Sequence, residues 1–389
     1  QSRGLGDVYK RQYESLATLG SNSWTIGNQL VSGFYPNRIP NPDLKWEKTG
    51  QFDIGFDLGL FNNRLRLTAD YYYKKTTDLL YNVAIPSASG YDSMLKNIGS
   101  VQNKGYELSI ESDNLSGAFS WTTAFNISFN RNKVLELGGE TYKDVGTYDD
   151  HLKTSDIRRL IVGQPIGVFY GYRFDGIFQN EAECAQQTSS PSPIGVGLRR
   201  YKDLNGDGKI DATNDREILG DANPKFFGGM TNTFAYKGFE LNVFLQYSYG
   251  NKIFNYNAME LESPTGGQNV YQDLVNRWTP TNPSNEYQKA TTNRNNIVSD
   301  RFIEDGSFLK LKTVSLSYSF PKLNWKHLGG LRLYVTGQNL LTWTKYRGYD
   351  PEVSYRGAST LEAGEDFGGY PQARTFMFGI KLDLSLIHI

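Results

Sequence analysis

A single cysteine, Cys184, stands in 389 residues, with four methionines and three histidines. One thiol excludes a disulfide framework and leaves a cysteine zinc site without ligands. Neither sign of charge is in excess, since 41 Lys and Arg face 41 Asp and Glu. The balance gives no overall attraction to nucleic acid or to an anionic surface. No apolar run in the chain approaches the roughly 18 residues of a membrane helix, and the mean hydropathy is only −0.52. P-loop, GxSxG and HExxH strings are missing, which removes three common routes to catalysis. His151, His327 and His388 are too scattered to form a relay or a metal triad. Abundant instead are Tyr (26), Phe (22) and Gly (40), with aromatics at 14%. An aromatic, glycine-rich chain with few helix signals points to an all-β fold.

The strongest pattern is alternation, the period of a strand with two unlike faces. In 52–60, Phe52, Ile54, Phe56, Leu58 and Leu60 share one face, and Asp53, Gly55, Asp57 and Gly59 share the other. After Asn62-Asn63, a tight-turn pair, Leu65, Leu67, Ala69, Tyr71 and Tyr73 alternate with Arg64, Arg66, Thr68, Asp70 and Tyr72. The same period marks 105–112, 119–130, 239–247, 314–320, 331–336 and 375–382, and more weakly 164–174 and 225–236. About ten strands are predicted.

Alternation fits two architectures. One face can pack on a soluble core, as in a sandwich, or meet lipid while the other lines a wet lumen. Three features favour the membrane barrel. Aromatics flank the apolar faces, at Tyr71 to Tyr73, Trp121, Tyr318, Phe320 and Trp343, as in interfacial girdles. Connections alternate in length: those at 62–63, 114–117, 236–238 and 321–330 are short, and those near 138–162, 180–220, 252–300 and 346–370 are long and polar. The strands also run about ten residues, enough to cross at a tilt.

The sharpest local motif is Asp203-Leu204-Asn205-Gly206-Asp207-Gly208-Lys209-Ile210-Asp211. It matches the first nine positions of an EF-hand-type calcium loop. Asp203, Asn205 and Asp207 offer side-chain oxygens at alternate positions, Gly208 permits the sharp turn, and Lys209 offers its carbonyl. Asp211 ligates directly or through water. The final acid, expected at Asn214, is displaced by one residue to Asp215. The reading without metal is an Asx-rich turn. Elsewhere Glu181/Glu183 and Glu260/Glu262 read as solvated loop charge, and no cleft of paired carboxylates for glycoside hydrolysis is found. Asp273 to Trp278 reads as a short loop helix stopped by Pro280, and Cys184 as an incidental loop thiol. The aromatic, Asn-rich segments 346–350 and 251–256 offer rings and amides to a sugar, against a plain reading as loop packing.

The two ends carry a different signal. Asp7-Val8-Tyr9-Lys10-Arg11-Gln12 and Leu384-Ser385-Leu386-Ile387-His388-Ile389 can be encoded by one DNA word and its reverse complement. Residues 1–12 and 384–389 therefore read as adaptor-derived scars outside the fold, and the chain as a fragment. Different codons at the two ends would contradict this.

Several strings, taken in order, resemble the C-terminal barrel of SusC/RagA-type TonB-linked outer-membrane transporters. They include Asn41-Pro42-Asp43-Leu44-Lys45-Trp46-Glu47, Asn103-Lys104-Gly105-Tyr106-Glu107-Leu108 and Gly163-Gln164-Pro165-Ile166-Gly167. Further on stand Asp175-Gly176-Ile177-Phe178-Gln179, the calcium-like loop, Arg277-Trp278-Thr279-Pro280, Asp300 to Lys312, Gly337-Gln338-Asn339-Leu340-Leu341 and Tyr370 to Thr375. The resemblance spans essentially 13–383. It implies an antiparallel transmembrane β-barrel fragment, about ten strands of a 22-stranded plugged barrel, with long extracellular loops. It also implies a non-enzymatic importer of glycans or oligopeptides in the outer membrane of a Gram-negative, Bacteroidota-like cell. The implied partners are a SusD-like surface lipoprotein, outer-membrane lipid and the TonB complex, the last through a plug and contact segment not in this sequence. The competing reading is a soluble or surface all-β carbohydrate-binding module.

Overall fold

The computed structural model describes residues 16, 18–84, 91, 93–145, 157–262, 269–292, 296–321, 328–352, 354–357, 359 and 361–384. The three histidines, residues 1–12 and 385–389 lie outside them. Nine strands form one antiparallel sheet: β1 (Lys48–Leu60), β2 (Leu65–Ala84), β3 (Ser93–Leu115), β4 (Phe119–Leu137), β5 (Phe226–Tyr236), β6 (Phe239–Tyr249), β7 (Phe308–Ser319), β8 (Leu328–Thr344) and β9 (Thr375–Leu384). Each strand pairs with its sequence neighbours, so the sheet is an up-and-down meander with β1 and β9 at open edges. A separate hairpin, Thr18–Ile26 with Gln29–Arg38, precedes it.

Sequence alternation becomes two chemically opposite faces. Register places Ile54 opposite Tyr71, Tyr71 opposite Tyr106 and Tyr106 opposite Phe129, and directly opposed residues share a face. That face continues through Met230, Leu245, Leu311, Leu341 and Phe376, two bulges in β7 and β8 keeping the phase. We term it the outward face. The inward face carries Asp57, Arg66, Glu111, Glu240 and Arg332. It is knitted by Arg66–Glu111 at 2.9 Å, Arg332–Glu240 at 2.6 Å and a hydrogen bond of 2.6 Å from the Thr68 hydroxyl to Asp57.

Aromatics gather at both ends of the outward face. Toward the short turns, Trp121 stacks on Phe234 at 5.7 Å and Tyr318 meets Phe239 at 4.5 Å. At the other end Phe226 meets Phe129 at 5.9 Å and Tyr249 at 5.0 Å. Phe226 and Phe234 are separated along β5 by about 26 Å at about 3.3 Å per residue, or about 20 Å of height at a tilt of about 40°. That is the scale of a lipid-facing band.

The connections after β1, β3, β5 and β7 are short and lie at one end. In the first, Phe61, Asn62 and Asn63 take φ of 53°, 57° and 63°, left-handed geometry that asparagine tolerates better than most residues. The connections of residues 138–225, 250–307 and 345–374 lie at the opposite end. One expectation fails here. The segment 164–174 does not join the large sheet. Its strand Val168–Tyr172 pairs with Arg216–Asp221 inside the first long connection, so the loops expected at 138–162 and 180–220 are one. Both faces of Val168–Tyr172 are buried, the signature of a core strand rather than a two-faced one.

Candidate functional site

The long connections fold together. Ile157 and Phe169 from the first pack with Phe254, Tyr256, Ala258, Met259, Val298 and Phe302 from the second, and Phe367 of the third lies against them. A small sheet joins Lys252–Asn255 to Ile303–Asp305 and, in parallel, to Glu365–Asp366. The long connections are thus one packed body at one end of the sheet.

Charge holds this body together. Glu262 reaches Arg301 at 2.7 Å, Arg347 at 3.3 Å and Arg199 at 3.9 Å. The three arginines come from all three connections. Arg158, fully buried, meets Glu365 at 3.0 Å and donates to the carbonyls of Gly167 and Ala363. Burial lowers the Arg158 pKa and raises that of Glu365, each opposed by the other's charge. At the junction with the sheet, Lys310 on β7 binds Asp350 at 2.6 Å and Glu352 at 2.5 Å. Burial, the largest single influence, opposes ionisation of both carboxyls, but the hydrogen bonds and charge of Lys310, joined by backbone N–H groups at Asp350 and by Lys312 at Glu352, together hold both below their usual range. Buried ions are tolerated only when paired and hydrogen-bonded in this way.

Four expectations are corrected here. Glu262, with Glu260 beside it, is buried rather than solvated, because its position at the meeting of three connections surrounds it with guanidinium groups. Glu183 does not float either: its carboxylate accepts from the Gln179 N–H at 2.9 Å and faces Arg200 at 3.5 Å. Cys184 ends a one-turn helix, Glu181–Cys184, and is buried, which pushes its thiol pKa up. The helix expected over 273–278 is a 3-10 turn, Gln272–Asn276. Of the aromatic segments offered to sugars, Tyr256 lies in the core, Tyr346 donates its buried hydroxyl to Asp366 at 2.5 Å, and Tyr349 stays 82% exposed.

The Asp203–Asp215 loop is ordered by its own carboxylates. Asp203 accepts from the N–H groups of Gly206 at 2.6 Å and Gly208 at 2.7 Å. Buried Asp215 accepts from those of Leu204 and Asp211, both at 2.8 Å, and so closes the loop one residue later than the EF-hand pattern. Asn205 and Asp207 each accept from the N–H two residues on. Lys209 bridges to Ser189, and Asp211 accepts from Thr213 and Asn214. Gly208 takes φ of 77°, as the sharp turn requires. Ile210 anchors the loop against Tyr172 and Tyr201. Among the described residues no three Asp, Glu, His or Cys side chains gather closely enough to hold a metal ion by themselves. Asn205 and backbone oxygens would have to complete any such site. The Asp203 and Asp215 oxygens each accept one N–H and keep a second lone pair, whereas Oδ1 of Asp211 already accepts two.

The buried cations Arg158, Arg199 and Lys310 are missed by sequence reasoning. Period two places Lys310 on the inward face, which signals water rather than burial, and Arg158 and Arg199 sit in segments without period.

Comparison with known proteins gives a consistent result. A family profile described as TonB dependent receptor-like, beta-barrel matches residues 6–179. The chain is 41% identical to TonB-dependent receptor P3 of Formosa agariphila over 379 residues, 95% of this chain and 37% of that protein. It is 29% identical to TonB-dependent receptor SusC of Bacteroides thetaiotaomicron, across 92% of this chain and 34% of SusC. Among solved structures it is similar to the RagAB peptide transporter, with a TM-score of 0.77 and 26% identity, covering 95% of this chain and 39% of that one. The chain therefore spans little more than a third of these relatives. TonB-dependent receptors are outer-membrane β-barrel proteins and not enzymes. On its sheet, its loops and these likenesses, the chain belongs to the TonB-dependent receptor family, of which it carries β-barrel sequence.

Proposed function

We propose that the protein carrying this chain is an importer in the outer membrane of a Gram-negative cell of the Bacteroidota type, taking up glycans or oligopeptides. The observation that carries this is the meander with one apolar and one polar face, its long connections packed into one body at one end. Such a wall separates lipid from a wet lumen, and the loop body narrows the entrance. The likeness to the RagAB peptide transporter supports oligopeptides, and that to SusC supports a SusC-type system. A SusD-like surface lipoprotein captures substrate over the loops. The TonB complex drives uptake through a plug encoded outside this sequence.

Two experiments test this. The complete receptor is extracted from membranes with and without detergent, where partition into water without detergent contradicts the barrel. The gene is then deleted, and loss of uptake of either a defined glycan or a peptide pool is expected. Unchanged uptake of both contradicts the import reading.

We also propose that Asp203, Asn205, Asp207, the Lys209 carbonyl, Asp211 and Asp215 take a hard cation such as calcium, which would rigidify the loop. The alternate spacing and the left-handed Gly208 support this. Calorimetric titration of the receptor and its Asp203→Ala and Asp207→Ala variants checks it. Heat of binding lost in the variants is expected, and none in the parent contradicts it.

A further inference from the structure

The outward face changes character abruptly at its loop end. One rung of the sheet reads Ile54, Tyr71, Tyr106 and Phe129. The next rung toward the loops reads Phe52, Tyr73, Lys104 and Arg131, and the one after it Gly50, Lys75, Gln102 and Lys133. On β2, β3 and β4 an aromatic residue thus has a cation two positions nearer the loops on the same face.

Two adjacent rungs hold four cations. Lys104 and Arg131 are directly opposed, a geometry with Cβ atoms about 5 Å apart in which like charges repel. Lys75 and Lys133 stand diagonal to Lys104, about 7–8 Å away. All four side chains are exposed. Among the described residues none of the four has a carboxylate at ion-pair distance, whereas Lys48, one rung further, pairs with Asp78 at 3.6 Å. Arg131 directs one nitrogen to backbone carbonyls of Asn130 and Lys225 at 2.8 and 2.9 Å. A chain with equal numbers of acids and bases has therefore collected cations without counterions at one level of one face.

We propose that this patch, Lys75, Lys104, Arg131 and Lys133, binds phosphate-bearing headgroups of outer-leaflet lipid while the acyl chains lie on the apolar rungs below. The proposal rests on the membrane reading above and goes beyond it. Charge complementarity supplies the headgroup: ammonium and guanidinium donors match phosphate oxygens. Continuity with the apolar face supplies the chains, because the cations sit directly above Tyr73, Tyr106 and Phe129. A soluble anion would use only the first of these. Lipid phosphate would also relieve the Lys104–Arg131 repulsion.

The test uses the complete receptor inserted into phosphatidylcholine vesicles doped with lipid A, or with the same lipid A stripped of its phosphates. Retained lipid A is counted by native mass spectrometry after mild detergent extraction. The variant is K75Q/K104Q/K133Q, which leaves Arg131 and its backbone contacts in place. The control is Lys74→Gln, next to Lys75 but on the inward face. Expected is a loss of retained phosphorylated lipid A on the order of a hundredfold in the triple variant, no change in the control, and weakening with salt in the parent. Equal retention of the phosphorylated and stripped lipids by the parent overturns the proposal, as does equal retention by parent and triple variant. Binding of free inorganic phosphate as strong as that of lipid A overturns it too. Failure of the parent to insert, read by protease sensitivity of the strands, contradicts the membrane reading itself and removes the proposal with it.

Discussion

In the sheet, Phe52, Ile54 and Phe56 are 57%, 61% and 61% exposed, all on one side. In the loop body, Phe169, Phe254 and Phe302 are each 0% exposed. Below the rim of cations at its loop end the sheet keeps its charges on the inward face, at Asp57, Arg66 and Glu111, while the loop body buries Arg158, Arg199 and Glu262. One chain thus follows two opposite solvent rules. The loop body obeys water: apolar groups go in, and the few buried ions are paired. The sheet obeys lipid on one side and water on the other, and its apolar exposure is too continuous for a soluble monomer. The contrast also explains the low mean hydropathy. Only every second strand residue must be apolar, and the loops are polar.

Breaking the loop body at its charged centre should produce the largest effect. Glu262→Ala removes the buried carboxylate shared by Arg301, Arg347 and Arg199, which costs about 3–5 kcal/mol. Hydrogen exchange should speed up over Tyr256–Leu261 and Ile303–Asp305 and stay unchanged in β1 to β4. Equal loosening of both regions would mean that they are not separately stabilised. Next in size is a test of the two faces. Phe56→Arg puts a cation on the outward face and should cost about 2–4 kcal/mol in urea-driven refolding into vesicles. Asp57→Arg, one residue away on the inward face, should cost far less, and similar costs would refute the assignment of faces. Smaller again is the turn at Asn62-Asn63. Asn63→Val should destabilise the hairpin of β1 and β2 by about 1–2 kcal/mol, read as earlier thermal loss of that hairpin, whereas a neutral result would argue against the left-handed geometry.

The smallest effect concerns the junction of the two regions. Asp350 and Glu352 have folded pKa values held below those of free carboxyls. The stability they contribute is therefore present above those unfolded values and lost as pH falls through the lower folded ones. Protection of the 345–374 connection should be flat from pH 7 to about 5 and fall below about 4. The Lys310→Met variant, lacking the cation that holds the carboxyls down, should lose this acid limb. An unchanged limb would place the pH dependence elsewhere.

Much of the sheet was legible. Period two located all nine strands at least in part, since lipid and water impose opposite demands on successive residues. Strand ends were less clear: β2 and β3 extend toward the loops through Thr76 to Ala84 and Ser93 to Lys104, where polar residues mask the alternation. The hairpin of Thr18–Ile26 and Gln29–Arg38 was missed, although Gly27 and Asn28, with φ of 56° and 67°, form a turn that the dipeptide itself suggests. The loop body was illegible for a physical reason. Its core joins Ile157, Phe254 and Val298, far apart in sequence, and its buried ions look like surface charge until their partners are known. The calcium-like loop was legible as a motif, and its altered closure by Asp215 was visible as the one-residue displacement.

The central claim is that one face of the sheet meets lipid and the other water, residue by residue. Nitroxide labels placed singly at Gly55 through Leu60 of β1, in the complete receptor in vesicles, test it directly. Collision with oxygen, which concentrates in lipid, should peak at Phe56 and Leu58. Collision with a water-soluble nickel chelate should peak at Gly55, Asp57 and Gly59. Two curves of period two in opposite phase are the predicted result. Uniform access of the chelate to both faces, or of oxygen to both, would contradict the account.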